Sequence, residues 1–100
     1  MKYKEGDIIV IDTSEEYDLP EFFQVVRTTG CFISIQHLNS KAITDFDDNR
    51  IRDILPEKDS FKGAAFYRKV GKKGKIDVYP GYKFRCKWDG EPVKQMALYS

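Results

Sequence analysis

Turn-forming residues recur every eight to twelve positions along this chain, and the stretches between them either alternate with period two or are short β-branched runs. That rhythm leaves no room for a long helix. It predicts a mainly β chain of five to seven short strands in a small SH3-like or rolled antiparallel barrel, with at most one short helix. The clearest unit is a hairpin. Phe23, Val25 and Arg27 share one side of Glu21–Thr28, and Phe22, Gln24 and Val26 the other. Thr29-Gly30 reverses the chain, and Cys31–Leu38 returns with Cys31, Ile33, Ile35 and His37 on one face and Phe32, Ser34, Gln36 and Leu38 opposite.

Around this hairpin, Ile8–Ile11 reads as a buried strand and Ser14–Pro20 as an acidic loop. Asn39-Ser40 is a turn signal, followed by a short strand over Lys41–Asp45 built on Ile43. Asp47–Leu55 admits two readings. One is a helix capped by Asp47 with Phe46 stapled onto Ile51; the other is an extended segment near Ile51–Leu55, which Pro56 favours. Glu57–Gly63 reads as a polar loop. Strands over Ala65–Val70 and Lys75–Tyr79 flank the hairpin loop Gly71-Lys72-Lys73-Gly74, Tyr82–Trp88 is an amphipathic strand, Asp89-Gly90 turns the chain, and Val93–Tyr99 closes the sheet. One hundred residues without repeats or linkers make a single β-rich domain over 1–100.

No apolar run approaches the roughly 20 residues of a membrane helix, and the start of the chain lacks an h-region, so a cytoplasmic location without membrane contact is expected. Cys31 and Cys86 form no paired motif, and His37 is the only histidine, so neither a metal nor another cofactor is expected. The cysteines read as small core residues, reduced in a cytoplasm, although a disulfide is geometrically open if their strands meet. His37 has no evident nucleophile and orienting group, which favours a structural role and a non-enzymatic protein. Gly71-Lys72-Lys73-Gly74-Lys75 lacks the spacing and the following helix of a phosphate-binding loop and reads as a basic hairpin tip.

Charge is unevenly distributed. Residues 1–60 hold 7 Lys/Arg against 13 Asp/Glu, a net −6, whereas residues 61–100 hold 10 against 3, a net +7. The basic part supplies a candidate partner patch of Arg68, Lys72, Lys73, Lys75, Lys83, Arg85 and Lys87. Along an extended Tyr82–Trp88 the cations would recur at roughly 6.5–7 Å, near the spacing of phosphates on one nucleic-acid strand. Alternation puts Tyr82, Phe84, Cys86 and Trp88 on the opposite face, which is also what an ordinary half-buried strand shows. The acidic part supplies a second patch of Glu15, Glu16, Asp18, Glu21, Asp45, Asp47 and Asp48, suited to a cationic partner.

Phe22-Phe23-Gln24-Val25-Val26, then Leu55-Pro56-x-Lys58-Asp59-x-Phe61-x-Gly63, Arg68-Lys69-Val70, Lys75-Ile76 and Trp88-Asp89-Gly90-x-Pro92 together resemble a group of small uncharacterised proteins of phages, plasmids and their bacterial hosts. The resemblance implies a mobile-element source and an extended segment before Pro56. The chain departs from that group in the acidic loop Ser14–Pro20 and in Phe84-Arg85-Cys86-Lys87. Small phage proteins are often inhibitors of host defence, CRISPR-Cas effectors included. The expectation is therefore a non-catalytic, macromolecule-binding protein whose partner is a protein, such as a nucleic-acid-binding enzyme. The alternatives are a nucleic-acid-binding module using the basic C-terminal strands, and a small-molecule or peptide pocket between the sheet and Asp45–Pro56.

Overall fold

The structure, a computed structural model, describes residues 2–97. It is mainly β. Seven strands, β1 (Ile8–Asp12), β2 (Pro20–Thr29), β3 (Phe32–Ala42), β4 (Ile51–Phe61), β5 (Phe66–Lys69), β6 (Lys83–Lys87) and β7 (Val93–Met96), form an antiparallel sheet curled into a half-barrel, with one 3-10 turn at Lys72–Gly74. The order is β6-β1-β2-β3-β4-β7, and β5 shares the outer side of β3 with β4. Phe32–Ile35 pair with β5 and Leu38–Ala42 with β4, so the long β3 serves two partners in succession.

The sheet is buried on both faces at its centre. Ile9, Ile11, Phe23, Val25, Ile33 and Ile35 point to one side, where Ile76 and Val78 cover them. Ile8, Val10, Phe22, Leu38 and Ile54 point to the other, joined by Trp88 and Val93. β1 lies between both layers, which is why its sequence is an unbroken apolar run instead of an alternation.

Register breaks bend the sheet. β2 carries an extra residue at Val26, β6 one at Arg85, and Glu57–Ser60 loop out of β4 opposite Asn39 alone. Such bulges raise the local twist and reverse which face each later side chain occupies. The looped residues have their own anchor: Gln24, buried, donates from Nε2 to Asp59 Oδ1 at 2.7 Å and accepts from Asp59 N at 2.9 Å.

The hairpin is present, but its reversal is Gly30-Cys31, with Thr29 facing Phe32 across the closing pair. Gly30 has φ +59 at the first loop position, the freedom a tight hairpin turn demands. Asn39-Ser40 does not turn; β3 runs through it to Ala42, because β4 supplies a partner on that side. Of the short strand expected on Ile43, Lys41 and Ala42 belong to β3, and Ile43 is exposed. Ile51–Leu55 is extended, and β4 continues through Pro56 into the expected Glu57–Gly63 loop. Asp47 caps a turn and not a helix: its Oδ1 accepts from Asn49 N and Ile51 N. Phe46 meets the Arg52 guanidinium at 4.4 Å.

Lys75–Tyr79 forms no ladder, yet Gly74, Ile76 and Val78 alternate inward as the expected strand would. The segment is a cover over the first face. Cys31 and Cys86, expected in the core, are exposed free thiols, the first in the reversal and the second beside the β6 bulge. The same bulge separates the aromatics expected on one face: Phe84 packs on the first layer and Trp88 on the second. The closing strand is β7, and the last two residues of the expected Val93–Tyr99 lie outside the described residues.

Candidate functional site

β6 lies along β1, which Asp7 precedes and Asp12 ends. Each of its basic residues meets a carboxylate there. Lys83 Nζ is 2.8 Å from Glu15 Oε1 and Lys87 Nζ is 3.1 Å from Asp7 Oδ2. Arg85 donates through Nε and Nη2 to the two oxygens of Asp12, with Asp18 3.9 Å away. The Lys83 hydrogen bond holds the Glu15 carboxyl below its ordinary value and Glu15 raises Lys83, while the Asp12 hydrogen bond raises Arg85. Much of the charge split read from the two parts of the sequence is thus satisfied within the molecule, across one strand pair.

The acidic positions also disperse. Glu15 and Asp18 face β6, Glu16 is exposed, and Asp45, Asp47 and Asp48 occupy the exposed turn beyond the far end of β3. Glu21 Oε2 lies 2.8 Å from His37 Nε2, and His37 stacks on Phe23 with ring centroids 4.7 Å apart. Burial pushes the Glu21 carboxyl up, but the His37 hydrogen bond and the charges of His37 and Lys62 outweigh it and leave it lowered.

Arg68, Lys72, Lys73 and Lys75 do come together, on β5 and the turn after it, with Lys69 of the same hairpin among them. Arg68 is pinned, with Nε donating to Val78 O at 3.0 Å and Nη1 to Tyr67 O at 2.7 Å. Its guanidinium lies 4.4 Å over Phe66 and 5.9 Å from the Tyr79 ring, both within cation–π range. From there a chain of rings, Tyr82, Tyr79, Phe66, Phe23 and His37, runs from the surface into the first core layer with neighbouring centroids 4.7–6.0 Å apart. Tyr79 and Tyr82 are its exposed end.

Sheet register places two segments side by side that share one property. Residues 22–44 and 60–76 contain no Asp or Glu, but they do contain Arg27, Lys41, Lys62, Arg68, Lys69, Lys72, Lys73 and Lys75. Among the described residues, Arg27, Arg68, Lys69, Lys72, Lys73 and Lys75 form no salt bridge. One carboxylate, Asp77, shares a shallow cleft with Lys69, Lys72 and Lys75. These six lie at the β2–β3–β5 end of the sheet, away from β6; Lys2, Lys4, Lys41, Arg50, Arg52, Lys58 and Lys62, elsewhere on the chain, likewise form no salt bridge among the described residues. Reasoning along single strands missed Arg27 and Tyr79. The signal available was the acid-free composition of two distant segments, which only strand pairing joins.

Other clefts are open. The half-barrel seam between β6 and β7 is floored by Val10 and lined by Asp18, Arg85, Cys86 and Lys94. A second lies between Tyr3, Cys31, Ile33 and Val70. There the Tyr3 hydroxyl donates to Gly74 O at 2.6 Å, and burial first, then the Asp7 charge, pushes its pKa to about 12. Asp45–Pro56 borders a shallow depression at Ala42–Asp45 and Arg52. Among the described residues no group of three or more His, Cys, Asp or Glu side chains is placed to hold a metal ion, and no helix is long and apolar enough to cross a membrane.

The residues from which a resemblance to phage and plasmid proteins was expected are largely occupied by the fold. Trp88 Nε1 donates to Glu91 O at 2.8 Å and Asp89 Oδ1 accepts from Glu91 N, which closes the turn ahead of Pro92. Pro56 is buried, and Asp59 holds Gln24. Comparison with protein-family models, curated proteins and solved structures gives no match.

Proposed function

We propose that this protein is a non-catalytic binding module that takes a nucleic acid on the β2–β3–β5 end of its sheet. One observation carries the reading: six cations from two acid-free segments lie at that end without a salt-bridge partner among the described residues, Arg27 and Lys69 on one face and Arg68 on the other, while each β6 cation has a carboxylate partner. Unpaired Lys and Arg gain by displacing the counterions condensed on phosphates, and that gain weakens as salt rises. Neutralising four to six phosphates of a single strand gives a log–log salt slope of about −3 to −4, so affinity falls roughly 100-fold between about 50 and 200 mM salt.

The test is fluorescence anisotropy with a labelled mixed-sequence oligonucleotide over that salt range. Lys72→Glu with Lys73→Glu should weaken binding by at least about tenfold, and Lys83→Glu should leave it nearly unchanged. Absence of binding at about 50 mM salt, or a larger loss from Lys83→Glu than from the hairpin variant, overturns the reading.

A protein partner is the second reading, and the turn beyond β3 favours it. Ile43 and Phe46 are exposed there among Asp45, Asp47 and Asp48, an apolar and anionic surface suited to a cationic protein groove. With a mobile-element source, a host nuclease or CRISPR effector is the class to try. Inhibition should titrate to a stoichiometric end point and be lost in Phe46→Ser; catalytic turnover by substoichiometric protein would sink it.

A further inference from the structure

The second face of the sheet is only half covered. At one end it packs Phe22 and Leu38 against Ile54, Trp88 and Val93. The cover extends as far as the row Gln24–Gln36, where Asp59 holds Gln24 and Gly63 O accepts from Gln36 Nε2 at 2.8 Å. Beyond that row β4 is no longer paired to β3, and β5 takes its place as the neighbour. Directly opposed residues of antiparallel strands share a face, so register alone assigns what stands on the remainder. One row is Arg27–Ser34–Tyr67 and the next is Thr29–Phe32–Lys69. Arg27 is there because the Val26 bulge turned it away from the face of Phe23 and Val25.

Two aromatic side chains therefore stand on adjacent strands of an open sheet face, Phe32 at 46% and Tyr67 at 54% exposure. On a half-buried sheet, rings normally serve the core side and polar residues the water side. Here the apolar layer on the opposite face is complete without them, since Ile33, Ile35 and Phe66 fill those positions. Arg27 and Lys69 flank the pair, and neither row holds a carboxylate. On β3 and β5 the register thus brings basic and aromatic residues onto one face.

We infer that this platform binds single-stranded nucleic acid, with Phe32 and Tyr67 each stacking an unpaired base and Arg27 and Lys69 meeting the flanking phosphates. The inference rests on the nucleic-acid reading above and specifies its ligand. A ring lying on a sheet reaches only a base whose face is free, which duplex stacking denies; each such stack contributes about 5- to 150-fold in affinity when removed by alanine, and it tolerates any base. Lys72 and Lys73 on the neighbouring turn extend the path for the backbone, supplying charge without selectivity for strandedness.

The experiment compares the full chain's binding of a labelled oligo(dT) of about 12 nucleotides with a hairpin duplex of similar charge, at about 50 mM salt. Single strand should bind at least about tenfold more tightly. Phe32→Ala and Tyr67→Ala should each lower single-strand affinity about tenfold, keep the salt slope, and leave duplex binding unchanged. Phe32→Tyr and Tyr67→Phe should retain it. Trp88 emission and the urea midpoint confirm folding, which substitutions at exposed rings should leave intact. Equal affinity for both ligands, or alanine variants that bind like the parent, would overturn the platform and leave a purely electrostatic nucleic-acid site. No binding of either ligand overturns both readings. Concentration-dependent self-association abolished by Phe32→Ala would mean a second copy covers the face, and also overturns the platform.

Discussion

Arg85→Gln separates a structural cation from a binding one. The side chain is one-third exposed and makes a two-point contact with Asp12, itself about one-quarter exposed, while Asp18 at 3.9 Å adds attraction without a hydrogen bond. An exposed pair contributes about 0.2–1 kcal/mol, and a hydrogen bond to a charged group about 1.5–3 kcal/mol. Partial solvent screening places the Asp12–Arg85 coupling near the boundary, at about 1 kcal/mol. In a domain of this size that corresponds to roughly 4–8 °C in Tm. The assay is a double-mutant cycle of Arg85→Gln and Asp12→Asn, by urea unfolding followed through Trp88 emission. Trp88 lies three residues from the bulge and packs on the second core layer, so it reports on this edge. Raising salt to about 1 M should shrink the coupling, because the pair is partly screened. Nucleic-acid affinity should change less than about twofold. A coupling below about 0.3 kcal/mol together with a large loss of binding would show that Arg85 serves a partner, and would refute the internal neutralisation of β6.

Two further expectations test the cover and the histidine pair. Ile76→Ala removes a fully buried side chain that seals the first core layer from an irregular segment; it should cost about 2–5 kcal/mol, seen as a Tm lower by roughly 15 °C, and a cost below about 1 kcal/mol would show that the segment is not a true cover. The Glu21 carboxyl is lowered in the folded protein from 4.5, so its stabilisation is complete above that value and is lost as pH falls through the lower folded one; Glu21→Gln should therefore flatten the decline of the urea midpoint between about pH 6 and pH 3, and an unchanged decline would refute the role given to the His37 contact.

The sequence by itself determined that this is a β domain, and where most of its strands lie. Period-two alternation and short β-branched runs are local consequences of which face meets water. That is why the Ile8–Ile11 strand and the shared faces of Phe23 with Val25 and of Ile33 with Ile35 were legible. Local pattern failed where a neighbour decided the outcome. Asn39-Ser40 stays in β3 because β4 offers it a partner, and Lys75–Tyr79 alternates but has no ladder.

The candidate site was decided by tertiary structure for the same reason. One extra residue in β6 sends Phe84 and Trp88 to opposite faces, and one in β2 turns Arg27 onto the face of Tyr67. A period-two reading carries no information about such insertions, since each reverses every side chain that follows. Charge behaved likewise. Its linear split was visible from composition, but Coulomb's law acts on distance in space. Pairing β6 with β1 cancelled the basic strand that stood out most, and pairing β2, β3 and β5 assembled a cationic surface from two segments that only together are conspicuous.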